Sequence, residues 1–104
     1  MFQYAIAVGD ESETYTREEL AKAADKALKY GVDASFVIGY VDDEHTVAAM
    51  SARSTGKLDV GKLMEEMGGG GNPSSAATVS KEETTESLGD VLTRKLTNPY
   101  FKIN

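Results

Sequence analysis

At 104 residues, with 40% apolar and 27% charged side chains, the chain has material for one modest hydrophobic core and not for two. Its net charge of −6 argues against a non-specific grip on long nucleic acid, which needs a basic face, but leaves room for a small phosphorylated ligand. The lack of cysteine excludes disulfides and thiolate metal sites and makes a reduced cytosol the default compartment.

The opening MFQYAIAVGDE has neither the basic flank nor the apolar run of a signal peptide, and no stretch nears the roughly 20 apolar residues of a membrane span. QYAIAVGD (3–10) alternates and predicts a first strand. A polar loop leads to Thr16 and Glu19, which have the spacing of a capping box. The helix predicted over 17–30 places Leu20, Ala23, Ala24, Ala27 and Leu28 on one face, and Gly31 follows where a cap glycine belongs. ASFVIGYV (34–41) suits a central strand, DDEH a tight turn and TVAAMSARS (46–54) the returning strand, so 34–54 reads as a hairpin. Asp59 can cap a short helix whose Val60, Leu63, Met64 and Met67 share a face. A glycine run, Gly68 to Gly71, separates it from SSAATVS, which predicts a short strand. Ser80 and Glu83 form a second capping-box pattern before a helix over 81–96 that buries Leu88, Val91, Leu92 and Leu96 and stops at Asn98-Pro99. The tail YFKIN is apolar enough to pack back on the domain or touch a neighbour. The order β-α-β-β-α-β-α predicts an α+β fold, a single mixed sheet with helices against it.

Gly68 is explained as the left-handed residue ending the second helix. Gly69, Gly70 and Gly71 are not; a flexible turn or a backbone nest for an anion would each account for them. In SARS, Ser51 and Arg53 project to one face of the strand, and the planar fork of Arg53 suits either phosphate oxygens or an ordinary surface ion pair. His45, the only histidine, reads as a solvated turn residue. The acids of VDDEH and GDESE lack calcium-loop spacing, and no Ser-His-Asp arrangement is available.

Taken together, MSARSTGKLDVGKLMEEMGGGGNPSSAAT resembles the signature of DHHA1 domains, the substrate-binding domains of DHH-family phosphoesterases. Ser51, Arg53 and Ser54 match its Ser-x-Arg-Ser strand, Gly69, Gly70 and Gly71 its glycine loop, and Ala76 and Ala77 its alanine pair. With ADKAL and ASFVI upstream, the resemblance covers most of residues 20–80 and is closest to membrane-anchored cyclic-di-AMP phosphodiesterases. It implies a substrate-binding domain over 1–104, a C-terminal piece of a larger protein. The cleavage centre and its divalent metal, manganese, would lie in a separate DHH domain, with no catalytic residue or cofactor in this chain. The implied site is Ser51, Arg53, Ser54, Gly69, Gly70, Gly71 and Asn72, with Asn72 standing where the family has histidine. Implied partners are a cyclic dinucleotide or short oligonucleotide, the DHH domain and, as a further option, a second copy of the chain. The location is cytoplasmic without direct membrane contact, on an anchored parent. The alternatives are an oligonucleotide phosphoesterase domain and a non-catalytic nucleotide-binding or interaction module.

Overall fold

The computed structural model describes residues 1–98. One mixed sheet holds β1 (Tyr4–Val8), β2 (Ala34–Tyr40), β3 (Ala48–Ser54), β4 (Gly70–Asn72) and β5 (Ser75–Ser80) in the spatial order β1-β2-β3-β5-β4. Three helices pack on it: α1 (Arg17–Leu28), α2 (Val60–Glu66) and α3 (Thr85–Thr97). β1 runs parallel to β2, as the intervening α1 requires, and the other pairings are antiparallel.

Strand alternation divides the apolar residues between two faces. Phe36 and Ile38 of β2 and Met50 and Ala52 of β3 join Leu63 and Met64 of α2 and Leu88 and Leu92 of α3 in the larger core. Val37 and Ala49 point the other way, onto Leu20 and Ala24 of α1. α1 starts in the expected capping box, with the Thr16 hydroxyl accepting from the Glu19 N–H at 3.0 Å and the Glu19 carboxylate accepting from the Thr16 N–H at 2.8 Å. Buried Ser35 ties α1 to β2 by donating to the Ala24 carbonyl at 2.7 Å. α1 rests on β2 and β3, whereas α2 backs β4 and β5 from the opposite face. The β5–β4 end of the α1 face is therefore open, with Ala77 exposed and Val79 40% exposed.

The structure corrects two expectations. Residues 70–72 are not loop but an edge strand, paired Gly70 with Ala77, Gly71 with Ala76 and Asn72 with Ser75. Glycines have no side chains to alternate, so periodicity could not show this strand. The last helix begins at Thr85, and Thr84 and Ser87 form its capping box. Ser80 instead accepts the N–H groups of Glu82 and Glu83, closing a turn ahead of the helix. Val91 is half-buried, and Leu96 packs at the core's margin. The tail after Asn98 lies outside the described residues. No described helix is long and apolar enough to cross a membrane.

Candidate functional site

Ser51 and Arg53 project from β3 to the α1 face, as alternation predicts, while Ala52 projects to the larger core. Ser54 falls on the Ala52 side, is buried, and accepts from the Gly56 N–H at 3.1 Å. It shapes the turn into α2 and does not join Arg53. The Arg53 side chain is only 16% exposed. Its Nε donates to Asp25 Oδ1 at 2.6 Å and its Nη1 to the Ala52 carbonyl at 2.9 Å, while Nη2 meets no described partner. The ion pair, one of two alternatives for Arg53, thus exists and still leaves part of the fork open. The Ser51 hydroxyl makes no hydrogen bond to a described residue.

The glycine run divides into positions with different duties. Gly68 takes φ +87° and donates to the Glu65 carbonyl at 3.1 Å, and Gly69 donates to the Met64 carbonyl at 2.7 Å. This pair of bonds is a Schellman motif closing α2. The Gly69 amide is therefore occupied, contrary to the idea that all three following glycines offer free N–H groups. A Cβ on Gly69 would lie 2.1 Å from the Ala77 carbonyl oxygen, and one on Gly71 would lie 2.5 Å from the Ala76 Cα. Both are glycine because β5 passes too close for anything larger. Gly61 plays the same part on α2, where a Cβ would sit 2.9 Å from the Gly71 and Asn72 carbonyls. Gly70 differs: a Cβ there would meet nothing within 4 Å, and its cross-strand partner Ala77 lines the open face.

Pro73 biases the Asn72 backbone toward an extended conformation, which would aim its side chain out of the loop. Its Oδ1 instead accepts from the Ser74 and Ser75 N–H groups at 3.0 and 2.9 Å, folding the side chain back over the β4–β5 turn. This is an Asx turn, a habitual use of asparagine in hairpins.

These elements frame an open groove of about 420 Å³ at the uncovered end of the sheet. Its floor carries Ser51, Arg53, Gly70, Gly71, Ser75 and Ala77, and its α1 wall carries Arg17, Glu18 and Ala21. A narrower hollow of about 150 Å³ shares Arg17, Ser51 and Ala77 with it and is otherwise largely apolar, through Leu20, Ala49 and Val79. Arg17 escaped the sequence reading. It makes no ion pair with a described residue, whereas neighbouring Glu18 is paired with Lys22 at 3.1 Å. The signal available was its spacing: Arg17, Ala21 and Asp25 recur every four residues, the stripe that turns toward Arg53.

Charge distinguishes this groove from the larger hollow of about 620 Å³ between β1 and α3, where Asp10, Glu11, Glu86 and Asp90 would repel an anion. The carboxyls held below their usual range belong to turns elsewhere. Asp10 is lowered by the Ser12 hydroxyl, Asp33 by the Gln3 N–H and Asp42 by the Thr46 hydroxyl. His45 sits in its turn at φ +56°, stacked on Tyr40 with ring centroids 5.1 Å apart. Among the described residues no group of three His, Cys, Asp or Glu side chains could hold a metal ion.

With this geometry in view, the DHHA1 domain family matches residues 2–98. The chain belongs to the DHHA1 family. This is the family to which the Ser-x-Arg-Ser and glycine motifs pointed. The DHHA1 domain is 46% identical over 81 residues, 77% of its length, to the cyclic-di-AMP phosphodiesterase PdeA of Listeria monocytogenes. It is 38% identical over 99 residues, 94% of its length, to the cyclic-di-AMP phosphodiesterase GdpP of Geobacillus thermodenitrificans. A membrane protein–large ribosomal subunit bL9 fusion protein of Aster yellows witches'-broom phytoplasma matches at 36% over 104 residues, 98% of the chain. The domain spans 12%, 15% and 12% of the lengths of these three relatives. A solved pGpG-specific phosphodiesterase, PggH from Vibrio cholerae, shares the fold with a TM-score of 0.54 at 16% identity, over 67% of this chain and 26% of that one.

Proposed function

We propose that this DHHA1 domain holds the substrate of a phosphodiesterase acting on cyclic dinucleotides such as cyclic-di-AMP. The observation that carries the reading is the groove. The open donors of Arg53, the Ser51 hydroxyl, which has no described partner, and the bare Gly70 backbone converge at the β5–β4 end of the sheet, which α1 leaves uncovered. Arg53 pairs with a phosphate oxygen, Ser51 donates a hydrogen bond and Gly70 lets the ligand approach the strand. Gly69 and Gly71 set the β4–β5 spacing, Asn72 fixes the hairpin that borders the site, and Ser54 anchors the chain leaving β3. That the PdeA and GdpP relatives are cyclic-di-AMP phosphodiesterases supports the choice of cyclic-di-AMP.

Among the described residues no cluster of carboxylates and histidine suits a metal centre. Hydrolysis, and the divalent metal ions (manganese) that would activate its water, would then belong to a DHH domain of the same parent. The contribution of this domain is then orientation: holding the reacting phosphodiester against a second surface makes attack effectively unimolecular. A cytoplasmic position on an anchored parent belongs to the same reading.

Calorimetric titration of the chain with cyclic-di-AMP, linear diadenylate and AMP tests the proposal. Weak binding is expected from half a cleft, with cyclic-di-AMP preferred. Arg53→Ala should lower that affinity by about tenfold or more, from the loss of charge-assisted hydrogen bonds. Its melting temperature should move little, because an ion pair with an exposed partner stabilises weakly. Unchanged affinity removes Arg53 from the site; preference for the linear dinucleotide favours the oligonucleotide reading instead.

A further inference from the structure

The Arg53 guanidinium is held on two of its three nitrogens. Asp25, from the middle of α1, takes Nε at 2.6 Å, and the Ala52 carbonyl takes Nη1 at 2.9 Å. One bond would leave the planar group free to swing about that contact; two bonds in different directions fix both its plane and its rotation. What remains free is both N–H groups of Nη2 and one of Nη1, donors suited to phosphate oxygens. Arg53 itself lines the groove.

We infer that Asp25 is a positioning residue, which aims the Arg53 guanidinium so that its free edge faces a phosphodiester in the groove; the inference rests on the phosphate-binding reading above. Three observations separate this from a chance surface pair. Lys22, Lys26 and Lys29 border a surface hollow together with Asp25, yet its only described salt bridge is to Arg53. The pair is lopsided, with Arg53 16% exposed and Asp25 57% exposed, so the arginine is held at the sheet surface while its partner stands at the solvent edge. The stripe Arg17–Ala21–Asp25 puts a small residue between two charged ones, which keeps the α1 wall of the groove low beside Arg53.

Aiming matters because an unrestrained arginine must surrender its rotamer freedom when the ligand binds, whereas a pre-held one has already done so. Asp25 also offsets much of the Arg53 charge. The local field then suits a singly charged phosphodiester better than a doubly charged terminal phosphate. Asp25 thus acts on both the strength and the selectivity of binding without touching the ligand.

The test is a mutant cycle on the whole chain, titrating cyclic-di-AMP and AMP and following the Arg53 Nε–H signal by nuclear magnetic resonance. Asp25→Ala should weaken cyclic-di-AMP binding about three- to tenfold, the range for one side chain losing its pre-organisation. It should also move the Nε–H signal toward that of a free arginine. Asp25→Asn keeps an acceptor and should restore most of the affinity for cyclic-di-AMP, while improving that for AMP. In an Arg53→Ala background, Asp25→Ala should have no further effect. Wild-type affinity for Asp25→Ala alongside a weakened Arg53→Ala would overturn the positioning role and leave the phosphate site intact. A further loss in the Arg53→Ala background would also overturn it, by showing that Asp25 acts elsewhere. An Arg53→Ala variant that binds as the wild type would overturn the phosphate site and the positioning role together.

Discussion

The two faces of the sheet use the same strands for opposite ends. On the α2/α3 face, Met50 and Ala52 of β3 and Ala76 of β5 lie in a closed core. On the α1 face, Ser51, Arg53, Ser75 and Ala77 of the same two strands line an open groove. The difference comes from helix placement: α2 backs β4 and β5, while α1 stops short, over β2 and β3. A seven-residue strand can therefore line a closed core and an open groove at alternate positions, with side-chain parity keeping the two apart.

The hardest blow to this division falls on the closed face. Met50 is fully buried, and Met50→Ala should cost about 2–5 kcal/mol of stability by leaving a cavity. Chemical denaturation would measure it, and a folded fraction that still binds cyclic-di-AMP normally would support the separation of faces. A finer cut runs through the glycines. Gly69→Ala should destabilise by about 1–3 kcal/mol or more, because its Cβ would press on the backbone of β5. Gly70→Ala should leave the melting temperature nearly unchanged and weaken ligand binding, since its Cβ enters open space above the groove floor. Equal effects of the two substitutions on stability would show that the run is one uniform turn after all.

The legibility of the sequence follows the same division. Elements that bury side chains on a regular period were readable, as with the hairpin of β2 and β3 and the stripe of α2. The helix N-terminus at Thr16 was readable because its reciprocal bonds are local. β4 was not, because three residues with one side chain among them carry no periodicity. At Ser80 a true local motif was present, but a turn used it and Thr84 supplied the helix cap. In the site, the parity of Ser51 and Arg53 was visible, and the pairing of Arg53 with some acid was one of two alternatives. Which acid was not visible, because Asp25 lies 28 residues away and meets Arg53 only through the packing of α1. Asn72 escaped for a related reason: Pro73 restricts its backbone, but the side chain follows the N–H groups that the turn exposes.

Asn72 sharpens the comparison at the groove's border. Asn72→Ala removes the acceptor for two backbone N–H groups and should cost about 1 kcal/mol, loosening the β4–β5 hairpin. Histidine Nδ1 occupies the position along the side chain that Oδ1 occupies in asparagine, so a neutral Asn72→His can keep the turn bonds and extend Nε2 further out. That variant should melt close to the wild type and bind cyclic-di-AMP more tightly. Tighter binding with an intact hairpin would mean that a group reaching past the turn adds affinity that asparagine lacks. Unchanged binding would mean that holding the turn is the whole contribution of position 72, to which asparagine is adapted.

The smallest expected effect belongs to neither face. Asp10, Asp33 and Asp42 sit in turns at strand ends, and each has its carboxyl lowered from 3.8 by hydrogen bonds to the charged form. A carboxyl lowered in the folded state gives stability that is fully present above its unfolded value and is lost as pH falls through the folded one. The melting temperature should therefore hold down to about pH 4 and decline below it, where protonation weakens these turn bonds. Asp42→Asn removes one of the three titrations, keeps an acceptor at Oδ1 for the Thr46 and Val47 N–H groups and loses the Thr46 hydroxyl bond at Oδ2, so it should flatten that decline by slightly lowering the midpoint near neutrality. All three groups lie near the surface, so the slope should be shallow beside the loss from Met50→Ala. A profile that stays flat to pH 2 would mean the turns hold their shape through packing alone, and the strand ends would then owe their order to the two faces between them.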